Sequence, residues 1–181
     1  PMKFPMRFPM RCAQTHKKLK SKYKNLLTII IPRHIQRTDK IKSQIKSLNL
    51  NIHIHSSKDK IKNNTDIYLV DTYGDTKNFF KICKTVFLGG SIIKHGGQNP
   101  LEASRYGCEI IHGPNINNFT EIYKLLEKIK LSFKIKNTEQ LIKKVDQSLS
   151  KSINSSKKVN KLKKIGTSIL KKNYNEIKNY I

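Results

Sequence analysis

The chain has 181 residues, enough for one core of ordinary size, and 36% of them are hydrophobic. Its net charge of +25 rests on 32 Lys and only 5 Arg. Proteins that read nucleic acid lean on the bidentate Arg fork and on interleaved aromatics. This balance therefore argues against a nucleic-acid partner; Lys, Ile and Asn spread evenly through the chain read first as compositional bias and solvated charge, and second as a surface drawn to anionic membranes. No stretch approaches the roughly 18 apolar residues needed to cross a bilayer.

The first eleven residues, PMKFPMRFPMR, repeat a four-residue unit, and residues 1–13 are expected to be unfolded low-complexity sequence. From Gln14 the pattern alternates. Residues 14–24 read as a basic helix, and Leu26–Ile31 is a continuous apolar run suited to a buried parallel strand. Ile41, Ile45 and Leu48 give residues 35–48 a helical spacing. A short alternating strand follows at 51–55, then a buried strand at 66–71 and a helix at 75–84. Strand 85–88, helix 99–106 and strand 108–112 come next. Asn118-Phe119-Thr120-Glu121 opens a further helix with capping-box residues. A last strand at 131–135 precedes a helix at 138–149. Repeated β–α units predict an α/β fold with a doubly wound parallel sheet over residues 14–150. Residues 150–156 read as a linker. A basic helix then carries Val159, Leu162, Ile165, Ile169 and Leu170 on one face, within a C-terminal segment 151–181. That face either packs on its own domain or docks on a partner or membrane.

Phe87–Pro114, FLGGSIIKHGGQNPLEASRYGCEIIHGP, is the most informative stretch. It reads as strand, Gly-rich loop, helix and strand. Asn99 is placed as the N-cap, Pro100 as the first helical residue and Glu102 in the first turn. A Gly-rich turn feeding a helix start favours phosphate, because free amides point at the ligand. The motifs fall at the carboxyl ends of the expected strands, where such sheets bind ligands. His53 and His55 alternate on one face of the strand at 51–55. Without a third ligand they read as part of an exposed edge strand rather than a zinc site. Cys12, Cys83 and Cys108 have no CxxC spacing and read as reduced, buried thiols of a cytosolic protein. No Asp-x-Asp pair is present for a nucleotide-bound cation, so neither metal nor cofactor is expected.

Gly89-Gly90-Ser91, Gly96–Glu102 and Gly113-Pro114 with Asn118-Phe119 resemble the GGS, GGxNPLE and GPxxxNF motifs of 3-deoxy-D-manno-octulosonic acid (Kdo) transferases. Pro32-Arg33-His34 with Arg37 is similar to that family's PRHPER, and Asp71–Asp75 to its DTxGE, in the same order. The resemblance covers about residues 12–150 and only the C-terminal half of the family. It implies the C-terminal, Rossmann-like domain of a GT-B glycosyltransferase. The donor would be CMP-Kdo and the acceptor a lipid A precursor, transferred with inversion at the cytoplasmic face of the bacterial inner membrane. The implied donor-binding residues are Arg33, His34, Asp71, Gly74, Asp75, Gly90, Ser91, Gly96, Gly97, Gln98, Asn99 and Glu102.

Glu102 is expected on ribose hydroxyls, or as a carboxylate satisfying its own helix start. Arg33 is expected on a phosphate or sugar carboxylate. Asp75 stands where the family has Glu, and Gln98 and Asn115 where it often has His. The resemblance also implies that the general base and acceptor site lie in an N-terminal domain outside this sequence. This chain alone would then bind CMP weakly, transfer nothing, and be cytosolic. Two other readings stay open: another GT-B transferase or an epimerase, and a non-catalytic basic protein that binds RNA or anionic lipid.

Overall fold

The computed structural model describes residues 8–151 and 155–178. Helices and strands alternate: α1 (Phe8–Lys20), β1 (Thr28–Ile30), α2 (Thr38–Lys46), β2 (Ile52–Ile54), β3 (Ile67–Leu69) and α3 (Thr76–Ile82). They are followed by β4 (Thr85–Leu88), α4 (Leu101–Arg105), β5 (Glu109–His112), α5 (Thr120–Lys128), β6 (Ser132–Lys134), α6 (Thr138–Ser150) and α7 (Ser155–Lys178). The chain divides into two compact units. One runs to Ile82 and takes back Lys136–Gln147; the other is Cys83–Ile135 with the chain from Ser148.

The first unit holds a parallel sheet in the order β1-β3-β2, with Thr28 and Ile52 both in register with Ile67. Its core is Ala13, Ile30, Ile41, Ile45, Ile67 and Leu69. Ile41 and Ile45, four residues apart on α2, form the buried stripe their spacing predicts. α1 begins at Phe8, six residues ahead of the expected start, so Phe8–Arg11 of the repeat is helical. Pro9 is tolerated in a first turn, where an amide would lack a partner anyway, and it is buried together with Ala13. Residues 1–7 lie outside the described residues.

The second unit holds a parallel sheet in the order β4-β5-β6. Every residue of β5 is buried. Leu126, Ile129 and Leu131 make a core with Ile122, and Leu162 and Ile165 of α7 pack against it. Buried Glu109 on β5 accepts from Ser148 Oγ at 2.7 Å and from Lys158 Nζ at 3.0 Å. The apolar face expected on the last helix is thus packed at Leu162 and Ile165, while Ile169 and Leu170 are exposed. Of the expected linker at 150–156, residues 152–154 lie outside the described residues, while Ser150 ends α6 and α7 starts at Ser155. No helix among the described residues is long and apolar enough to cross a membrane.

Two helix starts differ from the sequence reading. α5 has no capping box. Thr120 Oγ1 turns back to donate to the Ile116 carbonyl, and Glu121 pairs with Lys124 at 2.8 Å. A 3-10 turn at Asn117–Phe119 leads into the helix instead. α4 begins at Leu101, but Asn99 still caps it in substance, since its Oδ1 accepts the Leu101 amide at 3.0 Å.

A buried polar chain fixes α1 to the first sheet. Ionised Asp66 only accepts, so His16 Nε2 carries the proton that points at Asp66 Oδ1, 3.3 Å away. His16 Nδ1 then accepts from the Thr28 hydroxyl at 2.9 Å. Asp66 also accepts the Asn51 amide at 2.9 Å and pairs with Lys20 at 3.2 Å. Burial lowers the His16 pKa below 6.5, more than Asp66 raises it. For Asp66, burial works against the charge, but Asn51, Lys20 and His16 prevail and hold its pKa low.

The unfolded chain therefore takes up a proton at His16 at a higher pH than the folded chain does. The His16 contribution is complete above about pH 6.5 and is lost as pH falls through the lower folded value. The urea midpoint of His16→Gln should change less between pH 7.5 and 5 than that of the unaltered chain. Equal pH dependence in both would contradict the buried neutral imidazole.

Candidate functional site

In the second unit the loop between β4 and α4 leaves the carboxyl edge of the sheet. Its backbone folds on itself, with the Gly97 amide donating to Gly90 carbonyl at 3.3 Å. The segment after β5, Gly113–Phe119, braces it at successive points. The Gly113 amide donates to Ser91 Oγ at 2.8 Å, and Ser91 Oγ donates to Leu88 carbonyl at 2.7 Å. The Asn115 amide donates to Ser91 carbonyl at 2.8 Å, and Asn115 Nδ2 donates to Ile92 carbonyl at 3.2 Å. The Asn118 amide donates to Gly96 carbonyl at 3.1 Å. From α5, the hydroxyl of wholly buried Tyr123 donates to Gln98 carbonyl at 2.9 Å, and the Tyr123 ring packs on His112 with centroids 4.3 Å apart.

Two glycines make this bracing possible. A Cβ on Gly96, which lies at φ +75°, would fall 2.4 Å from Asn118 Nδ2. A Cβ on Gly113 would fall 2.4 Å from Ser91 carbonyl oxygen. Both distances are far inside van der Waals contact.

Among the expected donor contacts, Gly90, Gly96, Gly97 and Gln98 are half-buried in this loop, and Asn99 and Glu102 are exposed at its end. Ser91 is fully buried, with its hydroxyl engaged on both sides within the loop, so its side chain braces the loop here. Asn115, Asn118 and Tyr123 were not singled out as site residues from sequence. The GPxxxNF motif was the available signal for the two Asn, and its physical role is to support the loop.

In the first unit the carboxyl edge of its own sheet carries the remaining motif residues. Arg33 and His34 are exposed just after β1. Asp71, after β3, accepts the Ser56 amide at 2.9 Å and also the Ser56 hydroxyl. Burial works against its charge, but the Ser56 bonds outweigh burial and keep Asp71 below the usual carboxylate range. Gly74 is exposed at φ +99°. Asp75 Oδ2 accepts from Thr72 Oγ1 at 3.1 Å and lies 3.4 Å from His55 Nε2.

No three His, Cys, Asp or Glu side chains gather as metal ligands among the described residues. Burial pushes the Cys12 and Cys108 thiols up to about 12, which leaves them protonated and unreactive at neutral pH. Within the second unit the loop amides suit an anion, and exposed Glu102 at the loop's end suits hydroxyl groups.

No protein-family model matches the chain. It is 29% identical over 160 residues to the 3-deoxy-D-manno-octulosonic acid transferase of Haemophilus influenzae, covering 88% of this chain and 37% of that protein. It is 37% identical over 134 residues to the enzyme of the same name from Rickettsia felis, covering 74% of this chain and 29% of that protein. The chain is a homologue of the Kdo transferases. It spans about a third of the length of these relatives. A bifunctional glycosyltransferase/methyltransferase of Fusobacterium nucleatum is 34% identical over 68% of the chain and 20% of its own length. Among solved structures, the C-terminal CMP-Kdo binding domain of WaaA from Acinetobacter baumannii superposes with a TM-score of 0.78 at 23% identity. That match covers 87% of this chain and 82% of that domain. The fold of this Kdo-transferase homologue is therefore that of a GT-B C-terminal domain, the α/β class the β–α alternation predicts.

Replacing Gly113 by Ala places a methyl against the Ser91 carbonyl, so the strand end and the loop must move apart. Overpacking of this kind costs about 1–3 kcal/mol. Urea unfolding of Gly113→Ala should show that loss; an unchanged midpoint would mean the two segments are not held as described.

Proposed function

We propose that this chain binds the cytidylate part of CMP-Kdo as the donor-binding part of an inverting Kdo transferase. The observation that carries the reading is the braced Gly-rich loop ending at Glu102, in a homologue of Kdo transferases whose fold matches a CMP-Kdo binding domain. The amides of Gly90 and Gly96 would receive the phosphate, and Gly97, whose own amide closes the loop on the Gly90 carbonyl, would let the backbone approach it. Gln98 and Asn99 would line the loop mouth, with the Ser91 backbone beside them. Glu102 would accept hydrogen bonds from ribose hydroxyls. Fixed amides of this kind need no reorganisation as charge builds on the departing phosphate, so they favour release of CMP.

Arg33, His34, Asp71, Gly74 and Asp75 are proposed as further donor contacts. Their support is the motif resemblance and their position after β1 and β3. Arg33 suits a phosphate or the sugar carboxylate, because its planar fork meets two oxygens at once. The acceptor in this reading is a lipid A precursor at the cytoplasmic face of a bacterial inner membrane, with the basic surface drawn to anionic lipid. The general base and acceptor site are assigned to the parts of the relatives beyond the matched span. These 181 residues alone would then bind the nucleotide without transferring sugar.

Isothermal titration with CMP tests the reading. Glu102→Ala should weaken binding at least about tenfold, the worth of a hydrogen bond to a charged group. Equal affinities would remove Glu102 from the site. Preference for UMP over CMP would point to a different nucleotide-sugar enzyme, and transfer of Kdo by this chain alone would refute the division of labour.

A further inference from the structure

We propose that His55 is a positioning residue for donor binding, which holds the Asp75 carboxylate through a Tyr68–His55–Asp75 chain. This rests on the reading of Asp75 as a donor contact. β2 stands at an edge of its sheet as expected, but its residues are half-buried rather than exposed, and His55 just beyond it is not idle. Its amide donates to Leu69 carbonyl at 2.9 Å, which extends the ladder by one residue and fixes the side chain's origin. Its ring lies edge-on to Tyr68 and to Phe79, each with centroids 5.6 Å away. The two ring nitrogens then have assigned partners. Nδ1 is 2.7 Å from the Tyr68 hydroxyl, and Nε2 is 3.4 Å from Asp75 Oδ2.

Ionised Asp75 only accepts, so the proton between it and the imidazole sits on Nε2. In the neutral ring, Nδ1 accepts from Tyr68, and the hydroxyl selects the tautomer that faces Asp75. Thr72 Oγ1 donates to the same oxygen, Oδ2, at 3.1 Å. Both partners thus hold one oxygen. Among the described residues no hydrogen bond reaches Oδ1, and the Asp75 side chain is 40% exposed. The geometry leaves Oδ1 to accept a hydroxyl or amine hydrogen from a ligand. Asp is one methylene shorter than the Glu of the resembling motif, so its aim tolerates less error.

The test titrates CMP calorimetrically into the full chain and into His55→Phe, His55→Gln, Asp75→Asn and His55→Phe with Asp75→Asn. Phe keeps the ring packing and removes both nitrogens; Gln restores a donor toward Asp75. His55→Phe is expected to raise Kd about three- to tenfold, the range for a partly exposed hydrogen bond to a charge. His55→Gln should stay within about twofold, and the double variant should bind no more weakly than Asp75→Asn, because His55 acts only through that carboxylate. Far-UV circular dichroism and thermal midpoints confirm that each variant is folded. Unaltered Kd in His55→Phe, or losses that add in the double variant, would overturn the proposal. So would unaltered Kd in Asp75→Asn, while CMP binding itself stood. No CMP binding by the unaltered chain would remove the donor reading, and this inference with it.

Discussion

The second unit depends on one close approach. The carbonyl of Ser91 comes so near Gly113 that a single methyl there would lie 2.4 Å from it. That approach joins the end of β5 to the turn that follows β4, and the remaining braces form around it. Asn115 and Asn118 cover the loop carbonyls, and Tyr123 reaches Gln98 from beneath. A Gly-rich loop is flexible on its own account, because glycine loses more freedom on folding than other residues. Here the neighbouring segment supplies the order that the loop sequence lacks. The loop backbone is thereby held in one arrangement, and for the donor proposed above such preorganisation would lower the entropic cost of binding.

Charge follows a similar division. The surface is strongly basic, yet the two buried carboxylates among the described residues each have structural partners. Asp66 receives His16, Lys20 and the Asn51 amide; Glu109 receives Ser148 and Lys158. A buried carboxylate left alone would cost several kcal/mol, so these contacts are conditions of folding rather than additions to it. Exposed pairs such as Lys124 with Glu121 add little by comparison.

Much of this was legible in the residues. The apolar runs at Leu26–Ile31 and Asp66–Asp71 became β1 and β3, and Ile41 with Ile45 became a buried helix face, because local pattern and burial agree there. The Gly-rich loop and the cap at Asn99 were likewise visible. What stayed hidden was long-range. Asn118 and Glu121 have the spacing of a capping box, but Thr120 Oγ1 bonds back to the Ile116 carbonyl and Glu121 pairs with Lys124. The low-complexity look of Phe8–Arg11 gave no hint that Pro9 would be buried. His55 read as an edge residue, since nothing local shows that Tyr68 and Asp75, thirteen and twenty positions on, converge upon its ring.

The path of the backbone has its own consequence. The chain leaves the first unit after Ile82, returns at Lys136, and leaves again after Gln147. Arg11 meets Thr138, and Lys22 and Tyr23 meet Asp146, across more than 120 positions of sequence. Neither unit can be excised by one cut. On a ribosome, the first unit must wait for its last helix until the whole of β4 through β6 has been made, so its early strands emerge without their final cover.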